Sequence, residues 1–117
     1  MNQLALVAVL GGLGAVVRFL LSKIEGKLPW GILIANTLAA AIGASAVASF
    51  GVANPTTVLL VAGFAGGLST FSTLIAQTAS LWLEGKWGRG WWNLALNLVV
   101  PSTIAFGFGI SLVALLK

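Results

Sequence analysis

The side chains that could take part in chemistry are amides and hydroxyls, and they stand inside long apolar stretches. The most concentrated set lies in residues 63–74, GFAGGLSTFSTL, where a glycine-rich half is followed by a hydroxyl-rich half. In the second half, hydroxyls flank one aromatic ring: Ser69, Thr70, Phe71, Ser72 and Thr73. Such groups can donate hydrogen bonds without adding a charge, which suits a path for a small ion.

This stretch does not suit a plain lipid-facing helix. Each glycine lowers helix stability by about 1 kcal/mol relative to alanine. Successive residues point about 100° apart, so the hydroxyls face every side of a helix. In lipid these groups must find partners in protein, water or an ion. We therefore expect the segment to break the helix, to line a hydrated path, or both.

Asn36 and Arg18 are also polar residues in apolar surroundings, and each has two interpretations. Asn36 either joins helices through its amide or donates to an anion in a pore. Arg18 either extends to the membrane interface or is a buried structural cation that faces protein. Gly11, Gly14 and Arg18 share one helix face, and the small residues on that face support the second interpretation of Arg18.

The residue types that are missing exclude most catalytic sites. The chain has no histidine, cysteine or aspartate, and its two glutamates, Glu25 and Glu84, fall in predicted loops. This excludes His-Asp triads, imidazole and thiolate metal sites, and proton-carrying carboxylates within a membrane. The composition therefore argues strongly against an enzyme.

Composition and apolar length predict a membrane protein. Of 117 residues, 59% are hydrophobic and 7% are charged, whereas a soluble domain carries about 25% charged residues. We predict an all-α integral membrane protein with one domain, residues 1–117. Four spans long enough to cross a core of about 30 Å run at approximately 3–22, 30–50, 56–83 and 91–116. The third is longer than a straight crossing needs, so a break in its middle is expected.

The cationic residues predict an orientation. Five of the six lie in or near loop one (residues 23–29) and loop three (residues 84–90), and only Lys117 lies on the other side. Short loops rich in lysine and arginine face the cytoplasm. Loops one and three should therefore be cytoplasmic, and both termini should be outside. The tryptophans cluster on the same side, as in an interfacial belt: Trp30, Trp82, Trp87, Trp91 and Trp92.

The residues alone indicate a small oligomeric channel or transporter with a narrow polar path past Asn36 and the broken third helix. A structural subunit without transport is one rival, but a hydroxyl-rich break in lipid is costly without a purpose. A proton-coupled multidrug exporter of the small four-helix type is another. That class needs an acid within the first helix, and the first span has none.

Three motifs resemble one known family. Residues 11–19, GGLGAVVRF, resemble the GGxxGAxxR(Y/F) opening of the CrcB/Fluc fluoride channels. Residues 34–40, IANTLAA, resemble the segment of the second helix whose asparagine lines the pore in that family. Residues 63–74 resemble the GFxGGxTTFSTF signature. The match extends over the whole chain in length, helix count and motif order.

The resemblance implies a fluoride-selective channel that exports fluoride passively across the cytoplasmic membrane as an antiparallel dimer with two pores. It implies the following fluoride-pore residues: Asn36, Phe71, Ser72, Thr73 and Leu74. It implies a structural sodium ion at the dimer interface, held by backbone carbonyls of Gly66 and Ser69. It implies structural roles for Arg18, Gly67 and Thr70.

The sequence departs from the family pattern at two positions. Leu74 stands where the family usually has a second phenylalanine, and Pro101 stands where a serine of the fourth helix is expected. Leucine has no polarised ring edge, so one pore should be weakened or closed. An antiparallel homodimer also favours weak charge bias. We therefore expect a heterodimer with a paired homologous subunit, in which this chain could be a non-conducting partner; a homodimer is the alternative.

Overall fold

The computed structural model describes residues 2–24 and 26–116, and all of its regular elements in those ranges are helical. The predicted loop position of Glu25 and the side assigned to Lys117 lie outside the described residues. The helices are α1 (Gln3–Leu21), α2 (Trp30–Phe50), α3 (Pro55–Val58), a π-helical segment (Leu59–Ala65), α4 (Gly66–Leu68), α5 (Ser72–Leu83) and α6 (Trp87–Leu116).

Four stretches of the described residues are long and apolar enough to cross a membrane. They are Gln3–Leu21, Trp30–Phe50, Pro55–Leu83 and Trp87–Leu116, with mean hydropathy between 1.8 and 2.3. This confirms the prediction of an all-α protein with four membrane spans. The third span, Pro55–Leu83, contains α3, the π-helical segment, α4 and α5 in succession.

Local sequence explains where the spans begin and end. Asn2 caps α1 by accepting a hydrogen bond of 2.8 Å from the amide of Ala5. Asn54 caps α3 in the same way through Thr56, and Pro55 occupies the first turn, where a missing N–H costs nothing. Gly51, with φ of 84°, terminates α2, since this backbone conformation favours glycine.

The fourth span begins at Trp87 rather than at Trp91, where the sequence analysis placed it. Trp82 explains the difference, because its ring stacks on Trp87 at 5.8 Å and lies 4.9 Å from Trp91 between centroids. A Cβ on Gly90 would collide with the indole of Trp82. Gly90 thus lets the first turns of α6 pack on α5, and this packing outweighs the poor helix propensity of glycine.

The first and third spans pack closely through glycines. A Cβ on Gly67 would collide with the carbonyl of Gly11, and one on Gly14 would collide with the carbonyl of Phe64. The glycine face of α1 therefore lies against the π-helical segment and α4, as small residues on a helix face allow. Arg18, one turn beyond Gly14 on the same face, is half-buried.

The core of the chain lies between α2 and the middle of the third span. Ala35 and Ala39 of α2 pack with Ala65 and Leu68, all at most 6% exposed. The other long helix, α6, lies along α2 and α5. Three small residues among these four let α2 approach the third span closely, which brings Asn36 beside the residues that follow α4.

Candidate ion path

The candidate site is centred on Ser69, Thr70 and Phe71, which lie between α4 and α5. Ser69 is extended, with φ of −80° and ψ of 154°. Its amide makes the last helical hydrogen bond, 2.9 Å to the carbonyl of Ala65. On the other side, the hydroxyl of Thr70 accepts a hydrogen bond of 3.2 Å from the amide of Thr73. Thr70 thereby satisfies an N–H of the first turn of α5.

Asn36 supplies the backbone partners that this segment lacks. Its Oδ1 accepts a hydrogen bond of 2.8 Å from the amide of Thr70, and its Nδ2 donates to the carbonyl of Thr70 at 3.2 Å. The amide of Thr70 is thus turned toward α2 instead of the carbonyl of Gly66, four residues earlier. One side chain of α2 therefore satisfies both backbone groups of Thr70, as an apolar environment requires.

A chain of amides continues from Asn36 into α6 and α5. Asn36 Nδ2 also donates to Oδ1 of Asn97 at 3.0 Å. Asn97 Nδ2 donates to the backbone carbonyl of Asn93 at 2.9 Å and to its Oδ1 at 3.2 Å. Asn93 Nδ2 donates to the hydroxyl of Thr78 at 3.0 Å. We call Asn97, Asn93 and Thr78 the amide chain; its members are 6%, 2% and 2% exposed.

The residues expected at the sodium site and the pore asparagine share one groove. A groove of about 290 Å³ is lined by Asn36, Gly66 and Ser69, together with small and apolar neighbours of α2 and the π-helical segment. Proximity of these three residues follows from the hydrogen bonds between Asn36 and Thr70. The groove is open at the surface of the chain.

The residues after the interruption face different environments. Phe71 is 67% exposed, whereas Leu74 is 2% exposed and packs inside the chain. Ser72 is exposed and Thr73 is half-buried. The difference follows from helical geometry, since Phe71 lies outside α5 whereas Leu74 lies in its first turn, facing the core. The pore roles assigned to these residues remain predictions.

A separate cavity lies beside loops one and three. It measures about 370 Å³, and three cations, Lys27, Lys86 and Arg89, are among its lining residues. Lys86 Nζ lies 3.0 Å from Glu84 Oε2. Gln77 of α5 lines the same cavity, adjacent in sequence to Thr78 at the end of the amide chain. The side chains that line the cavity therefore give this end of the molecule an excess of positive charge.

Sequence reasoning missed the amide chain. Asn93 and Asn97 stand one helical turn apart in the fourth span, but that spacing names no partner for them and does not single out Thr78. A signal was present, because an amide in an apolar span must find hydrogen-bond partners. The amides of Asn36, Asn93 and Asn97 are therefore candidates to bond to one another. The hydroxyl that completes the amide chain is set by the packing of α5 against α6, and residue spacing within one helix does not predict that packing.

Residues 5–110 match the family model described as CrcB-like protein, Camphor Resistance (CrcB). The chain belongs to the CrcB family. Among its CrcB relatives, the fluoride-specific ion channel FluC of Pyrococcus abyssi is 35% identical over 108 residues, covering 86% of this chain and 88% of the relative. The protein of the same name from Escherichia fergusonii is 37% identical over 108 residues, 85% of each chain. That of Salmonella arizonae is 38% identical over 111 residues, again 85% of each chain. These findings confirm the family indicated by the three motifs.

Proposed function

We propose that this CrcB-family chain is a subunit of a fluoride-selective channel that lets fluoride leave the cell passively across the cytoplasmic membrane. The observation that carries the proposal is the interruption at Ser69–Phe71, where Asn36 satisfies both backbone groups of Thr70 beside the exposed ring of Phe71. Membership of the family and the names of its relatives support fluoride as the ion. The proposal assigns transport to this chain and no chemical conversion.

In the proposed path, fluoride exchanges its water for polar groups of Asn36, Phe71, Ser72 and Thr73. Fluoride holds water tightly, so the path must offer strong donors, which the amide and the hydroxyls provide. The exposed ring of Phe71 offers the positive edge of its quadrupole. No lysine or arginine lies within residues 30–83, and contacts shared among several uncharged groups let an ion leave as well as enter. The buried Leu74 supports a reduced second pore.

The backbone around Gly66 and Ser69 fits the structural sodium ion that the family implies. The carbonyl of Gly66 does not receive the helical hydrogen bond from Thr70, whose amide donates to Asn36 instead. Ser69 is extended, so its carbonyl leaves the helix axis. Gly66 and Ser69 would hold the ion through these oxygens, which suit Na⁺ at an interrupted helix. The ion would supply a fixed positive charge that offsets carbonyl dipoles at the end of α4.

We propose that the channel is an antiparallel dimer. An apolar groove of about 870 Å³ lies on the chain's surface between α2, the π-helical segment and α6, with small residues such as Gly43, Ala44 and Gly109 in its lining. Small residues allow close helix packing in a membrane. A second subunit would cover this groove and the one beside Asn36. The charge bias supports a paired homologous subunit, cytoplasmic loops one and three, and outside termini.

Structural roles are proposed for three residues near the interruption. Gly67 allows the backbone of Gly11 to approach, and Thr70 joins α2 to the start of α5. Arg18 is half-buried on the glycine face of α1, where a cation is more suited to protein than to lipid. Together they hold the first three spans around the proposed path.

Fluoride accumulation in cells tests the proposal. Cells without a fluoride channel of their own would express this chain alone, a paired homologous subunit alone, or both. We expect the chain to lower cytoplasmic fluoride and restore growth in fluoride medium, most strongly with the paired subunit. Full protection by the chain alone would contradict the heterodimer. No protection in any combination, with the chain present in the membrane, would contradict the channel.

A further inference from the structure

Hydrogen-bond directions fix the orientation of every amide in the chain that leads from Asn36. A backbone N–H can only donate, so the atom of Asn36 that faces the amide of Thr70 is Oδ1, and Nδ2 faces Asn97. A backbone carbonyl can only accept, so the atom of Asn97 that lies 2.9 Å from the carbonyl of Asn93 is Nδ2. Asn97 therefore presents its oxygen to Asn36.

The consequence is that both protons of the Asn36 amide are already used. One is donated to the carbonyl of Thr70 at 3.2 Å, and the other to Asn97 Oδ1 at 3.0 Å. An anion that takes a hydrogen bond from Asn36 must displace one of these acceptors. The Thr70 carbonyl belongs to the backbone that Asn36 holds in place, so the displaceable acceptor is the side chain of Asn97.

We propose that Asn97 is a built-in competing acceptor that makes the Asn36 amide selective for strong hydrogen-bond acceptors; this inference rests on the proposed function. Fluoride concentrates its charge in a small ion and displaces a neutral amide oxygen, because charge-assisted hydrogen bonds are about twice as strong as neutral ones. Chloride is larger and accepts more weakly, so it does not displace Asn97. Selectivity for fluoride over chloride thus depends on the hydrogen bond that an ion must replace as well as on the one that it forms.

Asn97 competes with an anion only while its Oδ1 faces Asn36. Asn93 and Thr78, the other two members of the amide chain, hold it in that orientation. Asn93 holds Nδ2 of Asn97 through its backbone carbonyl and its Oδ1, and Thr78 holds Nδ2 of Asn93. Thr78 and Asn93 are positioning residues that act through Asn97. Both are 2% exposed, so water does not replace a lost partner at either position.

Thr78→Val tests the proposal with the smallest change. Valine keeps the branched shape of threonine but removes the hydroxyl that holds the side chain of Asn93. Asn97 then keeps only the backbone carbonyl of Asn93 as a fixed acceptor, and its oxygen is held less firmly on Asn36. Thr78→Ser retains the hydroxyl and should behave as the wild type. Thr57→Val is the matched control: Thr57 is 3% exposed and its hydroxyl donates at 2.5 Å to the carbonyl of Gly51, away from the amide chain.

The readout is the ratio of fluoride to chloride efflux from liposomes, using whichever preparation carries fluoride, the chain alone or the pair. The fraction of vesicles that empty reports folded channel, and the initial rate reports conduction. We expect the ratio to fall about tenfold in Thr78→Val, as the loss of one buried hydrogen bond allows. It should stay at the wild-type value in Thr78→Ser and Thr57→Val.

A spectroscopic measurement accompanies the flux. The chain has five asparagines, so ¹⁵N-asparagine labelling yields few side-chain amide signals. Those of Asn36 and Asn97 should move in Thr78→Val and stay in place in Thr57→Val. Wild-type fluoride flux with an unchanged ratio in Thr78→Val would overturn this inference alone, as would an equal change in Thr57→Val or unmoved Asn36 signals. Absence of fluoride flux in the wild type would overturn the proposed function and this inference together.

Discussion

The third span and α6 both carry residues that disfavour a helix, yet they respond differently. In the third span the helix stops at Leu68 and resumes at Ser72, whereas α6 runs from Trp87 to Leu116 through Pro101. Proline in a helix removes one hydrogen bond and costs about 3 kcal/mol. The residues that disturb the third span cost less individually, since glycine costs about 1 kcal/mol. Local propensity therefore does not decide which span is interrupted.

The difference lies in the partners that each backbone finds. At Thr70, Asn36 of another helix receives the amide proton and donates to the carbonyl, so leaving the helix orphans neither group. At Pro101 the ring is buried, and the carbonyl of Asn97 loses the N–H that a regular helix would supply. The hydroxyl of Ser102 donates to the carbonyl of Leu98 at 2.6 Å, a bond within the same helix that does not replace the lost one. An interruption in a membrane helix thus requires a side chain from elsewhere that takes over the backbone hydrogen bonds.

Of the substitutions that test this comparison, Asn36→Asp should lower fluoride efflux the most. Aspartate retains an acceptor for the amide of Thr70 but loses the donor to Thr70 and Asn97. If ionised, it also repels an anion by about 4 kcal/mol at 4 Å for an effective dielectric constant of 20, so fluoride efflux from liposomes should fall roughly a hundredfold or more.

Asn54→Asp is the matched control for that change. Asn54 accepts a hydrogen bond from Thr56 at the start of α3, and aspartate caps a helix equally well. Efflux should stay near the wild-type rate. Wild-type efflux in Asn36→Asp would show that the interruption is not on the path.

Phe71→Ile should have the next largest effect. Phe71 is 67% exposed, so the change removes the ring edge without opening the core, and stability should hardly change. Loss of an aromatic contact of about 1.4 kcal/mol should lower fluoride efflux roughly tenfold. Phe50→Ile removes another exposed ring at the end of α2 and should leave efflux unchanged. Equal losses in both variants would remove Phe71 from the path.

Pro101→Ala should have the smallest effect on fluoride efflux, and it should stabilise the protein. Alanine supplies the N–H that Asn97's carbonyl lacks in a helix that is already continuous, and this gain exceeds the lost ring packing. We expect the free energy of unfolding in detergent to rise by about 1 kcal/mol, with fluoride efflux close to that of the wild type. Pro55→Ala, at the first turn of α3, should give no such gain. Equal gains at both positions would show that Pro101 does not weaken α6.

The four spans could be predicted because apolar length alone sets them. The start of α6 could not, since it depends on the packing of Trp82 against Gly90, residues from two different spans. The sequence singled out Asn36 as a residue that joins helices or lines a pore. Its pairing with Thr70 arises only when α2 packs on the third span. The inward direction of Leu74 and the place of Thr78 at the end of the amide chain likewise depend on the contact of α5 with its neighbours.

The interruption held by Asn36 is proposed to be part of a fluoride path. Liposomes loaded with both fluoride and chloride, and containing the wild-type chain with or without a paired subunit, test it through ion-selective electrodes. We expect fluoride to leave the liposomes while chloride is retained. Equal loss of both ions, or retention of both, would contradict it.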